Sequence, residues 1–245
     1  MRAVVLAGGQ GRRLLPYTVS FPKPLVPLGD MPIIEIVLRQ LRWYGIESVV
    51  ISVGHLAELI EAYFLAKGGV PGLDIRYVRE REPLGTAGAL GLLDDLGDDE
   101  DLVVVNGDIL TTLNLAELMA FHERERPALT LASRVRQLQI DLGVLEVKGD
   151  GTVVGYTEKP ELNYRCSMGI NVYSRHALTA IRRNERLDFP DLVLRLLAQG
   201  ERVLCYETDC YWLDIGRRED YERANAEFEQ MRPQLLPDEA GTASD

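Results

Sequence analysis

Residues 3–27, AVVLAGGQGRRLLPYTVSFPKPLVP, decide how the rest of this chain is read. An apolar run from Ala3 to Ala7 stops at Gly8, Gly9 and Gly11, and Arg12, Arg13 and Lys23 follow among Pro16, Pro22 and Pro24. The run predicts a buried strand. Glycines directly after it let backbone N–H groups turn toward an anion with no Cβ in the way, as in the short Gly-rich loops that cradle phosphates. The three cations point to the same ligand. The prolines forbid a long helix after the glycines, so an extended, proline-stiffened segment is expected. Unstructured connections of this length within a compact domain are uncommon and usually functional.

Two familiar phosphate loops do not fit. A dinucleotide fingerprint, G-x-G-x-x-G opening a helix, would need a glycine where Leu14 stands. A Walker A loop ends in Gly-Lys-Ser/Thr, and this one ends in Arg12, Arg13 and Leu14. A nicotinamide oxidoreductase is further disfavoured by Ser52, Val53 and Gly54, which end the second strand without a ribose-binding carboxylate.

Outward from the loop, Ile33, Ile34, Ile36, Val37, Leu38 and Leu41 recur at helical spacing up to a stop at Gly45. Glu47 to Val53 predicts a second buried strand, His55 to Ala66 a short amphipathic helix, and Leu73 to Val78 a third strand. Strand alternating with helix implies an α/β fold, a Rossmann-like mixed, mainly parallel sheet with helices on both faces. In such sheets ligands sit beyond the carboxyl ends of the strands, where the Gly8 loop stands. Leu102 to Asn106 is another apolar strand, followed by Gly107 and Asp108. The Asp108 carboxylate is either a cap for the turn before Leu113 or a hard oxygen donor suited to Mg²⁺.

In EPLGTAGAL, residues 82–90, Pro83 and Gly85 make a turn and Thr86 is a fair N-cap, with small residues that let a helix start lie close to another object. From Ala128 the pattern changes. Ala128 to Arg134, Gly143 to Val147, Val153 to Glu158 and Ser167 to Tyr173 are short strands around a Gly149–Asp150–Gly151 turn, a more antiparallel half that would wall in a second substrate. YWLDIGR, residues 211–217, precedes a helix from Glu219 to Met231, and its Asp214 is either a helix-entry cap or a carboxylate aimed into the site.

The chain's 245 residues carry 27 Lys and Arg against 38 Asp and Glu, a net charge of −11. That balance argues against a nucleic-acid surface, which shows as a basic stripe. Cations gathered near the N-terminus of an acidic chain suggest a local anion pocket. With no Gly/Ser-rich linker, residues 1–231 read as one domain, and the polar, acidic residues 232–245 as a disordered tail. Cys166, Cys205 and Cys210 match no common zinc spacing and are expected to be reduced thiols. Met1 and Arg2 lead straight into the strand with no signal peptide, and no apolar run reaches the roughly 18 residues of a membrane span. A cytoplasmic protein away from membranes is the expectation.

LAGGQGRRLLPYT followed by PKPLVPLGDMPIIEIVL resembles the sugar-1-phosphate nucleotidyltransferases, which make nucleotide sugars. The resemblance extends over roughly Met1 to Met231 and is closest to mannose-1-phosphate and heptose-1-phosphate guanylyltransferases, with similar strings in thymidylyl- and uridylyltransferases. It implies a nucleotide-binding half, 1–127, and a sugar-phosphate-binding half, 128–231. The left-handed β-helix that many relatives append is expected to be missing, since no hexapeptide-type repeat follows. The substrates implied are an NTP and a sugar 1-phosphate, with Mg²⁺ as cofactor, and homo-oligomerisation stays open.

Residue by residue, the resemblance puts Leu6, Ala7, Gly8, Gly9, Gly11, Arg12 and Asn106 on the nucleotide, and Glu82, Gly85 and Thr86 at the base. Arg13 stands where the family arginine acts on the triphosphate, though here Arg12 precedes it where relatives have Thr or Glu. Lys23 of the Pro-Lys-Pro string is assigned to the α-phosphate, and Asp108 and Asp214 to the metal. In TEKP, Lys159 grips the sugar phosphate and Glu158 contacts sugar hydroxyls. Gly143, Ser167 and Gly169 match sugar-facing strands, Ser167 replacing a common Asn. A different class, a non-catalytic nucleotide-sugar-binding regulatory subunit, is disfavoured because the loop arginine, both lysines and both aspartates are all present.

Overall fold

A computed structural model describes residues 2–93 and 101–240. The chain opens with β1 (Arg2–Ala7), passes through 3-10 turns at Arg12–Leu14, Tyr17–Val19 and Lys23–Leu25, and forms a minimal hairpin from β2 (Pro27–Leu28) and β3 (Met31–Pro32). Then come α1 (Ile33–Trp43), β4 (Ser48–Val53), α2 (Ala57–Lys67), β5 (Asp74–Arg79), the short α3 (Gly85–Gly88), β6 (Leu102–Asn106), β7 (Ile109–Thr111) and α4 (Leu115–Glu125). The rest comprises β8 (Leu129–Gln139), β9 (Val144–Val147), β10 (Val153–Thr157), β11 (Glu161–Tyr173), α5 (Arg175–Leu178), α6 (Phe189–Ala198), β12 (Val203–Glu207), β13 (Trp212–Asp214), α7 (Arg218–Leu235) and α8 (Pro237–Ala240).

Seven strands form the central sheet in the order β12-β8-β11-β6-β1-β4-β5. β1 pairs in parallel with both β4 and β6, placing Leu6 beside Ser52 on one side and Asn106 on the other. The alternation of β1 explains why the sheet is sandwiched: Ala3, Val5 and Ala7 face the cluster containing Val37, Leu38 and Leu41 of α1 and Phe64 of α2. Val4 faces the opposite cluster, with Leu192 and Leu196 of α6. A third cluster lies outside the sheet, where Leu14, Val26, Leu28, Leu213 and Ile215 pack on Ala224, Phe228 and Leu235.

That third cluster is why residues 12–25 are not an extended segment. Leu14, Val26 and Leu28 are buried, and Leu14 N–H to Gly11 O (2.8 Å) and Leu25 N–H to Pro22 O (2.9 Å) close the turns that bring them inward. The prolines pre-set turn conformations and stop each turn from growing into a helix.

The second half also differs from an antiparallel reading. β8 and β12 run parallel to each other and to the first-half strands, leaving β11 as the reversed strand of the central sheet. The crossover through α6 returns the chain to β12 in the β8 direction, as a helical connection permits. β9 and β10 form a separate antiparallel ribbon. With the outer halves of β8 and β11 they make an arm standing clear of the body, on which Leu142, Leu145, Val153 and Tyr156 are exposed.

The expected disorder of residues 232–245 is corrected for 232–240. α7 continues to Leu235, α8 follows, and Leu235 and Leu236 are wholly buried. Arg39 pairs with Asp238 (2.6 Å) and Glu239 (2.8 Å), and Arg232 with Asp30 (2.7 Å) and Glu239 (2.8 Å). Polar composition concealed a two-leucine anchor. Residues 241–245 lie outside the described ones. No helix among the described residues is long and apolar enough to cross a membrane.

Candidate active site

The carboxyl ends of β1, β5 and β6 open on a cleft of about 240 Å³. Its walls bring together Leu6, Ala7, Gly8, Gly9, Lys23, Gly85, Thr86, Asn106 and Asp108, all singled out in the sequence. Gly8 lies so close to Glu80 that any Cβ there would strike the carboxylate. Glu80 in turn accepts hydrogen bonds from the Ser52 hydroxyl (3.0 Å) and the Leu84 N–H (2.9 Å), tying the ends of β4 and β5 to the 82–90 turn.

Asp108 and Asp214 are 106 positions apart in sequence, and a two-strand pairing unites them. β13 runs antiparallel to β7 with Asp214 opposite Ile109, and Ile215 N–H donates to Asp108 O (3.1 Å). Lys23 sits between the carboxylates: its ammonium pairs with Asp108 and lies 3.8 Å from Asp214 Oδ1. The Lys23 side chain is only 10 % exposed, so its charge is matched almost entirely by these two groups. Burial, and then the negative charge of Asp108, push the Asp214 carboxyl up from its ordinary value, with Lys23 and Arg13 opposing. Neither aspartate takes its local structural alternative. Arg217 is the N-cap position of α7, and Asp220 reaches back to the Arg217 N–H (2.8 Å).

Two hard oxygen donors crowding one ammonium, with one of them destabilised as an anion, fit a site for a divalent cation. Among the described residues no cluster of three or more His, Cys, Asp or Glu forms a complete metal cage. An ion here would draw its other ligands from water and phosphate, as Mg²⁺ does.

A second cleft of about 630 Å³ lies on the other side of Asp214 and is lined by Arg13, Gly216 and residues of β8 and α7. Arg13 passes over Gly216, where a Cβ would lie 3.5 Å from its guanidinium nitrogens. Arg12 diverges and donates from Nε to Gln10 Oε1 (2.8 Å). Among the described residues lining the two clefts, Arg12, Gly11 and Glu82 are absent. Gly11 serves the turn, its carbonyl accepting from the Thr18 hydroxyl (2.9 Å). Thr86 is not the N-cap of α3, where Leu84 holds that position; its hydroxyl accepts from Phe189 N–H (2.8 Å), the first residue of α6.

The sugar-side candidates are split. Gly169 has φ +72° in a bulge of β11, and a side chain there would meet Asn106 and Ile109, so the bulge packs against the cleft floor. Trp212 Nε1 donates to Met168 O (2.9 Å) and fixes the bulge to β13. Ser167 is exposed beside it. Gly143, Glu158 and Lys159 lie on the arm: Gly143 beneath the Tyr156 phenol, Glu158 accepting from Tyr156 Oη (2.8 Å), Lys159 exposed with φ +45°. The structure does not bring Lys159 to the two aspartates. Glu80 is a cleft residue that the sequence reading passed over, and Pro24 and Pro83, read there only as backbone-shaping prolines, line the cleft as well. Glu80 follows the last residue of a parallel strand, the signal that could have found it.

The sequence model of the nucleotidyl transferase family matches residues 2–231. The chain is 34% identical over 235 residues to a mannose-1-phosphate guanylyltransferase of Mycobacterium tuberculosis, covering 92% of this chain and 64% of that protein. To a UTP–glucose-1-phosphate uridylyltransferase of Synechocystis it is 30% identical, covering 91% and 62%. To the D-glycero-α-D-manno-heptose 1-phosphate guanylyltransferase of Aneurinibacillus thermoaerophilus it is 28% identical, covering 94% and 99%. The chain thus spans less than two thirds of the length of the first two relatives. A solved structure of a candidate glucose-1-phosphate thymidylyltransferase from Bacillus anthracis shares the fold with a TM-score of 0.74 at 25% identity, covering 92% of this chain and 94% of that one.

Proposed function

Since the chain belongs to the nucleotidyl transferase family, we propose that it transfers a nucleotidyl group from an NTP to a sugar 1-phosphate, releasing pyrophosphate. The observation that carries this reading is Lys23 held between Asp108 and Asp214 at the mouth of the Gly8–Gly9 cleft. An oxygen of the sugar phosphate attacks the α-phosphorus, a P–O bond forms, and the bond to the β-phosphate oxygen breaks. Two polyanions must meet, so positioning and charge compensation dominate the barrier.

In this scheme the Gly8–Gly9 backbone and Asn106 seat the nucleotide, Lys23 offsets charge at the α-phosphate, and Arg13 steadies the departing pyrophosphate. Lys159 and Glu158 hold the acceptor phosphate and sugar hydroxyls, which requires the arm to fold toward the body. A Mg²⁺ ion held by Asp108 and Asp214 would supply neutralisation of phosphate charge.

Glu80 supports guanine as the base. A carboxylate in the nucleotide cleft accepts hydrogen bonds, and the guanine edge offers N1–H and N2–H donors side by side, whereas uracil and thymine offer one donor between acceptors. Two of the relatives above are guanylyltransferases, of mannose 1-phosphate and of a heptose 1-phosphate. The uridylyltransferase relative keeps a glucose-1-phosphate uridylyltransferase as the second reading. Pyrophosphate release across GTP, dTTP, UTP, CTP and ATP against several sugar 1-phosphates tests both. Turnover confined to GTP with a manno-configured acceptor is expected. Silence throughout from folded, nucleotide-binding protein would favour a regulatory subunit.

A further inference from the structure

The second cleft is walled by more positive charge than the reaction scheme uses. Arg134 and Arg136 alternate along β8 and so share a face, with Cys166 of β11 beside them. Arg217 faces them from the start of α7, and Arg13 enters from the loop. Asp214 and Asp220 also line the cleft, but Asp220 spends one oxygen on the Arg217 N–H and Asp214 already lies near Lys23. Arg223, at the rim, is paired with Glu227 (2.8 Å). Arg134, Arg136 and Arg217 form no ion pair with another described residue, whereas the charge of Arg13 acts on the Asp214 carboxylate. On a chain of net charge −11, the three guanidinium groups of Arg134, Arg136 and Arg217 around one concavity of about 630 Å³ are concentrated positive charge that an anionic ligand would stabilise.

We infer that Arg134, Arg136 and Arg217 form a second phosphate-type anion subsite, joined to the nucleotide cleft through Asp214 and Lys23 but separate from it. Guanidinium forks converging from a strand and a helix start suit a tetrahedral or planar oxyanion better than a neutral sugar. Two sources carry that chemistry: the terminal phosphates of the leaving pyrophosphate, and a second acidic group, phosphate or carboxylate, on the acceptor sugar. Identifying the source rests on the nucleotidyl-transfer reading; the anion subsite itself does not.

The probe is inorganic pyrophosphate, titrated calorimetrically into the folded protein and into the Arg134→Gln/Arg136→Gln double variant. The dissociation constant is expected to rise about tenfold or more, given what a charge-assisted hydrogen bond contributes. Arg165→Gln, which removes an exposed charge on β11 paired across β8 with Glu207 of β12, is expected to leave it unchanged. Steady-state kinetics separate the sources. A raised KM for pyrophosphate in the reverse reaction, with an unaltered preference between glucuronate 1-phosphate and a neutral sugar 1-phosphate, assigns the subsite to the leaving group. A collapsed preference for the acidic acceptor assigns it to the sugar. An unchanged pyrophosphate constant in the double variant, or an equal loss in Arg165→Gln, overturns the subsite whatever the turnover. A parent protein without turnover, together with weakened pyrophosphate binding in the double variant, would leave the subsite standing and remove the transferase reading instead.

Discussion

Lys23 is nearly buried, and two aspartates from distant parts of the chain supply its counter-charge. The proline pair around it made it conspicuous in the sequence, but only the structure shows that its ammonium stands where both carboxylates converge. The same is true of the arginine pair. Arg13 lines a cleft beside Asp214, while Arg12 turns away to Gln10. Arg13→Ala is therefore expected to lower kcat by roughly 10² to 10³, the loss typical of one preorganised charge partner, and Arg12→Ala to change it less than threefold or so. Steady-state rates of the two variants check this. Glu80→Gln keeps an oxygen for the Leu84 N–H but replaces an acceptor by a donor, so the preference for GTP over UTP is expected to fall by about 1–3 kcal/mol. Competition between the two nucleotides measures it.

At the scale of elements, β1, α1, β4, α2, β5 and β6 were legible because their signals are local, whereas α4 (Leu115–Glu125) went unread. An apolar run such as Leu102 to Asn106 has no alternative to a buried strand. What was not legible depends on distant partners. The turns at 12–25 exist because α7 offers Leu14 and Leu28 a surface, and Thr86 caps a helix that begins 103 residues later, as its bond to Phe189 shows. α4 and β8 provide a test of element packing. His122 of α4 is buried, with Nδ1 2.7 Å from the Thr130 hydroxyl, and burial holds its pKa below 6.5 despite Asp101 and Glu123 nearby. The unfolded chain binds the proton more readily, so the stability tied to neutral His122 is complete above pH 6.5. It declines as pH falls from there toward the folded value. Thermal melts between pH 7 and 5 should show a falling Tm, flattened in His122→Gln; an identical slope in the variant would contradict it.

At the scale of the whole molecule, strand and helix alternation specified a mainly parallel sheet; Asp108 was read at a strand end, Asp214 before a helix, and the family resemblance joined the two. Residues 232–240 were misread, because a composition rich in Pro, Glu and Asp outweighed two leucines that the fold buries completely. Those leucines matter to the site. Leu235 and Leu236 close the cluster that also holds Leu14, Leu213 and Ile215, the neighbours of Arg13 and Asp214. Leu236→Ala is expected to destabilise the protein by about 2–5 kcal/mol in denaturant unfolding. The arm was only partly foreseen: β9 and β10 were read as strands, but the outer parts of β8 (135–139) and β11 (161–166) and the arm's separation from the body were not.

The central claim is that Lys23, Asp108 and Asp214 form one centre for nucleotidyl transfer. Its most direct test is pyrophosphate release from GTP and mannose 1-phosphate over a Mg²⁺ titration, in the parent protein and in Lys23→Met and Asp108→Asn. The expected result is turnover that saturates with Mg²⁺, a rate lower by roughly 10² to 10³ in Lys23→Met, and a weakened Mg²⁺ dependence in Asp108→Asn. Full turnover in Lys23→Met with an unshifted Mg²⁺ curve in Asp108→Asn would place the chemistry elsewhere and contradict the account.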